Sequence, residues 1–137
     1  MHTDILIIGA GPAGIFTAME LLRQGCRQRL LLVEKGRAME ERRCPNAQTG
    51  RCVGCKPCHI TTGFSGAGAF SDGKLSLSTE VGGDLPQLIG DEAAQSLIQY
   101  TDSIYLEFGA DAHVEGIAEK EAVKEIRKRA IQTGLKL

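Results

Sequence analysis

A glycine-rich hexapeptide, GAGPAG at residues 9–14, constrains the fold of this chain more than any other feature. It follows the apolar run from Asp4 to Ile8, which is typical of a strand buried on both faces of a parallel sheet. From Pro12 to about Gln24 apolar residues recur with helical spacing, and Gly25 stands where a helix would stop. A second apolar run extends from Leu30 to Val33. The pattern predicts a strand, a helix and a second strand parallel to the first.

The glycines of the hexapeptide have separate expected roles in binding a dinucleotide. Gly9 permits the tight turn, Gly11 lets the backbone approach a pyrophosphate, and Gly14 lets helix and strand pack closely. The phosphates would lie at the helix N-terminus, beside Pro12 and Ala13. There, free N–H groups and the positive end of the helix dipole point at them.

An acid and four basic residues follow the second strand. Glu34 stands where a carboxylate accepts hydrogen bonds from ribose hydroxyls, and an acid here disfavours a cofactor with a 2′-phosphate. Of the basic residues Lys35, Arg37, Arg42 and Arg43, we take Lys35 and Arg43 as candidates for reaching a cofactor phosphate. A solvated basic loop is the alternative.

Residues 37–90 form a long stretch rich in glycine, serine and cysteine without sustained periodicity. Such a stretch is too long for an ordinary surface loop. Its second glycine-rich part, GFSGAGAFSDGKLS at residues 63–78, could lay backbone amides along a second part of an extended cofactor. A flavin, with its ribityl chain and ring, needs that contact more than NAD does. A flexible Gly/Ser linker is the alternative.

The sequence CPNAQTGRCVGCKPCH contains four of the five cysteines, Cys44, Cys52, Cys55 and Cys58. The C-x-x-C-x-x-C spacing, with Cys44 followed by proline, fits an iron–sulfur cluster. Four thiolates could instead bind structural zinc. Cys55, Cys58 and His59 also match the C-x-x-C-H pattern of haem attachment, which normally requires export. The fourth interpretation is reduced thiols, with Cys55 and Cys58 spaced as a redox pair beside Lys56.

Helical spacing returns in the last third of the chain. One apolar stripe extends from Ala94 to Phe108, with Gly109 as its stop, and a second helix is predicted from about Glu119 to Gln132. The final residues, TGLKL, are typical of the entry into a further strand.

Charge and composition narrow the function classes. Lysine and arginine total 16 against 17 acidic residues, so a net charge of -1 gives no broad attraction to nucleic acid or an anionic membrane. Neither a secretory signal nor an apolar stretch of about 20 residues is present. We therefore expect a cytoplasmic protein without a membrane span. In a reducing compartment a cysteine cluster more often binds metal or is redox-active than forms disulfides.

The segment CPNAQTGRCVGCKPCHITTGFSGAGAFSDGKLS, with GAGPAG, IYLEFGAD and EIRKRAIQTGL, resembles a bacterial family of FAD-dependent dehydrogenases or oxidoreductases. That family lies within the glutathione-reductase-like flavoprotein superfamily, near the geranylgeranyl reductases, and the similarity spans essentially the whole chain. The resemblance implies FAD bound non-covalently by Gly9, Gly11, Gly14 and Glu34, with Gly66, Ala67 and Gly68 near the cofactor. Family members continue for several hundred residues more, so this chain alone is expected to be inactive.

We therefore predict an α/β fold that is the N-terminal part of an incomplete FAD-binding domain. A Rossmann-type βαβ unit with a parallel sheet occupies residues 1–36, a Cys/Gly-rich insertion residues 37–90, and a helical segment residues 91–137.

The predicted function is an FAD-dependent oxidoreductase acting on a small-molecule substrate with a redox donor or acceptor. An oligomer is compatible with this prediction. The alternative is an electron-transfer or binding module held together by an iron–sulfur cluster or zinc, in which the nucleotide is structural. The sequence assigns no catalytic residue.

Overall fold

The computed structural model describes residues 2–135, and the chain divides into two compact units, Met1–Lys74 and Leu75–Leu137. The first unit is mixed α/β and begins with strand β1 (Ile5–Ile8), helix α1 (Pro12–Arg23) and strand β2 (Leu30–Val33). The two strands pair in parallel over their whole length, from Ile5 opposite Leu30 to Ile8 opposite Val33. The predicted strand–helix–strand arrangement is confirmed.

Strand β1 is buried on one face only, and the prediction of two buried faces is wrong for the described residues. Successive side chains of a strand point to opposite faces. Ile7 is 8% exposed, whereas Leu6 and Ile8 are 54% and 80% exposed. Ile7 faces α1, because a Cβ atom added at Gly14 would lie 3.4 Å from Ile7 Cγ2. An apolar run alone does not say whether both faces of a strand are covered.

The stretch after β2 contains short helical turns that the sequence did not predict. These are a 3-10 turn at Met39–Glu41, helix α2 (Asn46–Thr49) and a 3-10 turn at Ala67–Phe70. The later part of the stretch contacts the residues that follow β2 through long-range backbone hydrogen bonds rather than through periodic structure. An isolated parallel bridge joins Arg37 to Gly63, and the Phe64 N–H donates to the Arg37 carbonyl at 3.1 Å.

The second unit is helical, with α3 (Leu85–Ile89), α4 (Asp91–Glu107) and α5 (Lys120–Gln132). Helix α3 packs on α4, and the buried side chains of α4 are Ala94 and Ile104. The two long predicted helices are confirmed. Helix α3 was missed because five residues are too few to show a helical period. Within residues 2–135, no helix combines the length and apolarity needed to cross a bilayer.

The three longer helices end in the same way. A glycine with positive φ follows each of them, namely Gly25 at 77°, Gly109 at 92° and Gly134 at 81°. This left-handed conformation lets the following N–H groups return to the last-turn carbonyls, as in the 2.9 Å bond from Cys26 N–H to the Leu21 carbonyl. The stops predicted at Gly25 and Gly109 are confirmed. The strand predicted at residues 133–137 falls partly on residues 136 and 137, which lie outside those described.

Candidate cofactor-binding site

The glycine-rich hexapeptide connects β1 to α1 through a tight, closely packed turn. Gly9 has a φ of 99°, which favours glycine, and its N–H continues the strand pairing by donating to the Val33 carbonyl at 2.7 Å. A Cβ atom added at Gly14 would lie 1.9 Å from the Gly9 carbonyl oxygen. The structure therefore requires glycine at both positions, for the turn and for the approach of helix to strand.

The N-terminus of α1 presents unpaired backbone donors to the turn. Gly11 is the N-cap residue and supplies no side-chain cap, and Pro12 begins the helix. The first N–H groups of a helix have no partner within it, and in α1 the first turn closes with the 3.0 Å bond from Ile15 N–H to the Gly11 carbonyl. The amides of Ala13 and Gly14 lie before that bond, so they are the donors that a pyrophosphate at this end would use.

Gly11 leaves a cradle for such a group. Its φ of -79° is one that any residue adopts. A Cβ atom added there would meet only the Gly66 Cα atom, at 3.9 Å. The protein itself thus leaves room for a side chain at Gly11, and the room is of the kind that a phosphate approaching the backbone would occupy. The residues present fit the phosphate part of a dinucleotide.

Glu34 ties the turn to the end of β2. One carboxylate oxygen accepts from the Ala10 N–H at 2.8 Å and the other accepts from the Gly36 N–H at 2.8 Å. The Ala10 bond, followed by the Gly36 bond, holds the pKa of Glu34 below its ordinary value of 4.5. The expected ribose contact would use the remaining lone pairs of a carboxylate that is ionised and held in place.

The second glycine-rich segment lies directly against the first. The Ser65 N–H donates to the Ala10 carbonyl at 2.8 Å. A Cβ atom added at Gly66 would lie 3.3 Å from Gly11 Cα and 3.2 Å from Pro12 Cδ. Two stretches more than fifty residues apart in sequence therefore form one surface at the start of α1.

Close backbone packing between Gly36 and Gly63 lies next to this junction. A Cβ atom added at Gly36 would lie 2.5 Å from both the Cα and the N atoms of Gly63. Ser65 is the non-glycine residue with positive φ, at 71°, among the described residues. The sequence pattern gives Gly36 no role and includes Gly63 only as the first residue of the second glycine-rich segment. A glycine two residues after the ribose acid is a signal that indicates a close approach of backbone.

The remaining predicted cofactor residues are exposed. Ala67 and Gly68 lie in the 3-10 turn that follows Gly66. Lys35 and Arg43 are exposed as well, and the contact of Arg43 is made by its main-chain carbonyl, which accepts from His59 Nδ1 at 2.7 Å. Their predicted contacts to a phosphate stay predictions.

Arg42 is the important residue that the sequence left unassigned. It is 3% exposed, and its guanidinium donates to four main-chain carbonyls. Nε donates to His59 at 2.9 Å, Nη1 to Phe64 at 2.6 Å and to Gly66 at 2.7 Å, and Nη2 to Ile60. No local pattern distinguishes Arg42 from its neighbours in the basic run, because all four acceptors belong to a segment that follows much later.

The cysteines are free thiols, and the structure does not support a metal site. Cys44 and Cys55 are half-buried, whereas Cys52 and Cys58 are exposed. Among the described residues, no group of three or more His, Cys, Asp or Glu side chains is placed to hold a metal ion. The iron–sulfur and zinc interpretations at Cys44, Cys52, Cys55 and Cys58 thus find no support, since suitable spacing in sequence has not brought the four sulfurs together.

Cys58 has the features of a reactive thiol. Hydrogen bonds from the backbone N–H groups of Thr61 and Ile60, and then from the Thr61 hydroxyl, hold the pKa of its thiol below the ordinary value of 9.0. The Arg42 charge acts in the same direction. The sequence pattern predicts Lys56 as the cation beside this thiol. The structure instead supplies amides of the following turn and a buried arginine.

Comparisons with known proteins agree with this geometry. The FAD binding domain family matches residues 2–50, which include the glycine-rich turn and Glu34. A protein of Clostridium beijerinckii described as "Uncharacterized protein" is 31% identical over 132 residues, covering 94% of this chain and 23% of the relative. The chain thus spans about a quarter of the length of that relative, and no solved structure matches. The family match supports an FAD-dependent oxidoreductase-type domain at the start of the chain.

Proposed function

We propose that this chain is the cofactor-binding part of an FAD-dependent oxidoreductase. The observation that carries the proposal is the junction of two glycine-rich segments at the N-terminus of α1. The first of these segments lies within residues 2–50, the part of the chain that matches the FAD binding domain. Proteins with this domain are generally flavin-dependent oxidoreductases or monooxygenases. For the whole enzyme, the proposal includes a relationship to the geranylgeranyl reductases. It also includes a small-molecule substrate and a redox donor or acceptor.

Each part of the junction has a role in the proposal. The amides of Ala13 and Gly14 donate to the pyrophosphate, and Gly11 keeps the approach open. Glu34, ionised and fixed by two backbone amides, accepts from the ribose hydroxyls. Gly66 with the following turn lines the extended cofactor beyond the pyrophosphate. When bound, the flavin ring supplies hydride or electron transfer, while the protein supplies binding and orientation.

The alternative of a module held together by an iron–sulfur cluster or zinc has no support in the structure of the described residues. It needs the cysteines as a ligand set, and the described residues contain no such set.

The decisive experiment is a titration of the purified chain with FAD, followed by flavin fluorescence, on the natural protein and two glycine variants. Gly11→Ala adds a methyl group where the protein has room but the pyrophosphate would lie. We expect FAD affinity to fall about tenfold or more, the equivalent of one charge-assisted hydrogen bond, with little change in thermal stability.

The control is Gly25→Ala, at the far end of α1. A Cβ atom there meets nothing within 4 Å, but the φ of 77° makes alanine unfavourable. This variant should lose roughly 1–2 kcal/mol of stability and keep its FAD affinity. The proposal is wrong if the natural chain does not bind FAD, or if Gly11→Ala binds it as well as the natural chain does.

A further inference from the structure

The buried guanidinium of Arg42 holds one short stretch, which we call the anchored segment, residues 59–66. All four of its main-chain acceptors lie within this segment, at both of its ends. The face of Phe70 lies 4.7 Å from the guanidinium carbon, a distance suited to a cation–π contact. A planar group with five donors in a fixed fork can meet such a set of acceptors, whereas a lysine ammonium with three donors on one atom cannot reach all four.

The charge of Arg42 is compensated in an unusual way. Burying a cation is costly unless it is paired or hydrogen-bonded. Within residues 2–135, Arg42 forms no ion pair with a carboxylate. The guanidinium is therefore satisfied by carbonyl dipoles of the anchored segment, so its burial and the shape of that segment depend on each other.

The anchored segment is also the part of the chain that meets the dinucleotide turn. Nη1 binds the carbonyls of Phe64 and Gly66, the residues on either side of Ser65. Ser65 makes the 2.8 Å bond to the Ala10 carbonyl and holds a φ of 71°, which is unfavourable for a residue with a side chain. The guanidinium group of Arg42 thus donates hydrogen bonds to the main chain on both sides of the point where the two glycine-rich segments meet.

We infer that Arg42 is a positioning residue of the cofactor site, which fixes the anchored segment so that Gly66 lies beside Gly11. The inference rests on the proposed function, because it names how this chain prepares the site for FAD. Arg42 acts through the main chain of the segment and has no assigned contact with the cofactor. In its absence the segment would leave the turn, while β1, α1 and β2 would remain.

The test compares Arg42→Lys and Arg42→Ala with Arg51→Lys, a matched change at an exposed arginine of the same loop. The first readout is hydrogen exchange of the cofactor-free chain over the Phe64 and Ser65 amides. These are the donors to the Arg37 and Ala10 carbonyls. The second readout is FAD affinity by fluorescence titration, and the third is thermal unfolding.

For both Arg42 variants we expect faster exchange over the anchored segment and FAD affinity reduced about tenfold or more, the equivalent of one lost hydrogen bond to a charged group. Exchange of the β1 and β2 amides should stay unchanged. Arg51→Lys should match the natural chain in all three readouts.

Three results would overturn the inference. Unchanged exchange over residues 63–66 would show that Arg42 does not fix the segment, whether or not FAD binds. Faster exchange with unchanged FAD affinity would show that the segment does not matter to the site. Loss of the unfolding transition in both Arg42 variants would make Arg42 a support of the whole unit rather than a positioning residue. If the natural chain does not bind FAD, the proposed function fails, and the exchange measurement alone then decides whether Arg42 holds the segment.

Discussion

Replacement of Gly14 by alanine tests the packing of the dinucleotide turn most directly. The added Cβ would lie 1.9 Å from the Gly9 carbonyl oxygen and 3.1 Å from its carbon, well inside the roughly 3.5 Å at which nonbonded atoms touch. Both are backbone atoms, so no side-chain rotation relieves the overlap. Helix α1 must move away from β1, which already buries Ile7 against that helix.

Overpacking of this kind costs about 1–3 kcal/mol, and contact with backbone places Gly14→Ala at the upper end of that range. Alanine is preferred over glycine in a helix by about 1 kcal/mol, which offsets part of the cost. We expect a net loss of about 2 kcal/mol in the free energy of unfolding. The assay is urea unfolding of the cofactor-free chain, followed by circular dichroism of its helices.

The matched control is Gly68→Ala. A Cβ atom at Gly68 meets nothing within 4 Å, and its φ lies outside the left-handed region. The unfolding free energy should therefore change by no more than about 0.5 kcal/mol. Equal stability of the two variants would refute the packing described here, because both carry the same chemical change and differ only in the atoms that the new methyl group meets.

Three further results are expected. The pKa of Glu34 is lowered in the folded chain, so its contribution to stability is complete above the unfolded value near 4.5 and is lost as pH falls towards the folded pKa. As the pH is lowered through 4.5 and below it, the urea midpoint of the natural chain should thus fall more than that of Glu34→Gln, and equal falls would contradict the two amide bonds. The rate at which iodoacetamide alkylates Cys58 should rise with pH with a midpoint below 9.0, and Thr61→Val should raise that midpoint by removing the hydroxyl donor. Mass spectrometry of the labelled peptide measures both midpoints. An unchanged midpoint in the variant would contradict the hydrogen bond from Thr61. Treatment with EDTA should leave the thermal unfolding temperature unchanged, whereas a lowered temperature, or stoichiometric iron or zinc in anaerobically purified protein, would restore the metal interpretation.

The sequence predicted the regular elements well because their signals are local. Pro12 starts α1 and Gly25 ends it, and β2 has the predicted bounds of Leu30 and Val33. Each of these features depends on residues within a few positions of one another. The five-residue helix α3 has no such signal, since it is shorter than two turns.

The site was predictable only in part, for the opposite reason. The motif gave the expected places of Gly9 and Gly14, and their geometry is what the turn requires. The bonds of Glu34 to backbone amides and the burial of Arg42 depend on chain segments that meet only in the folded protein. The metal interpretation of the cysteines has no support among the described residues, because spacing in sequence does not determine where four sulfurs lie in an irregular segment.

Because Arg42 donates to main-chain carbonyls, the amino-acid sequence around those carbonyls can vary among relatives of this protein without loss of the hydrogen bonds. Every residue type carries a carbonyl, so replacement of His59, Ile60 or Phe64 leaves the acceptors of Arg42 in place. Gly63 is different, because a Cβ atom there would lie 2.7 Å from Arg42 Cδ and 2.8 Å from the Arg37 carbonyl oxygen. We expect evolutionary drift of the side chains along this stretch while one arginine and the glycines around it persist. Distant relatives would then be recognised by that sparse set of positions more readily than by overall identity.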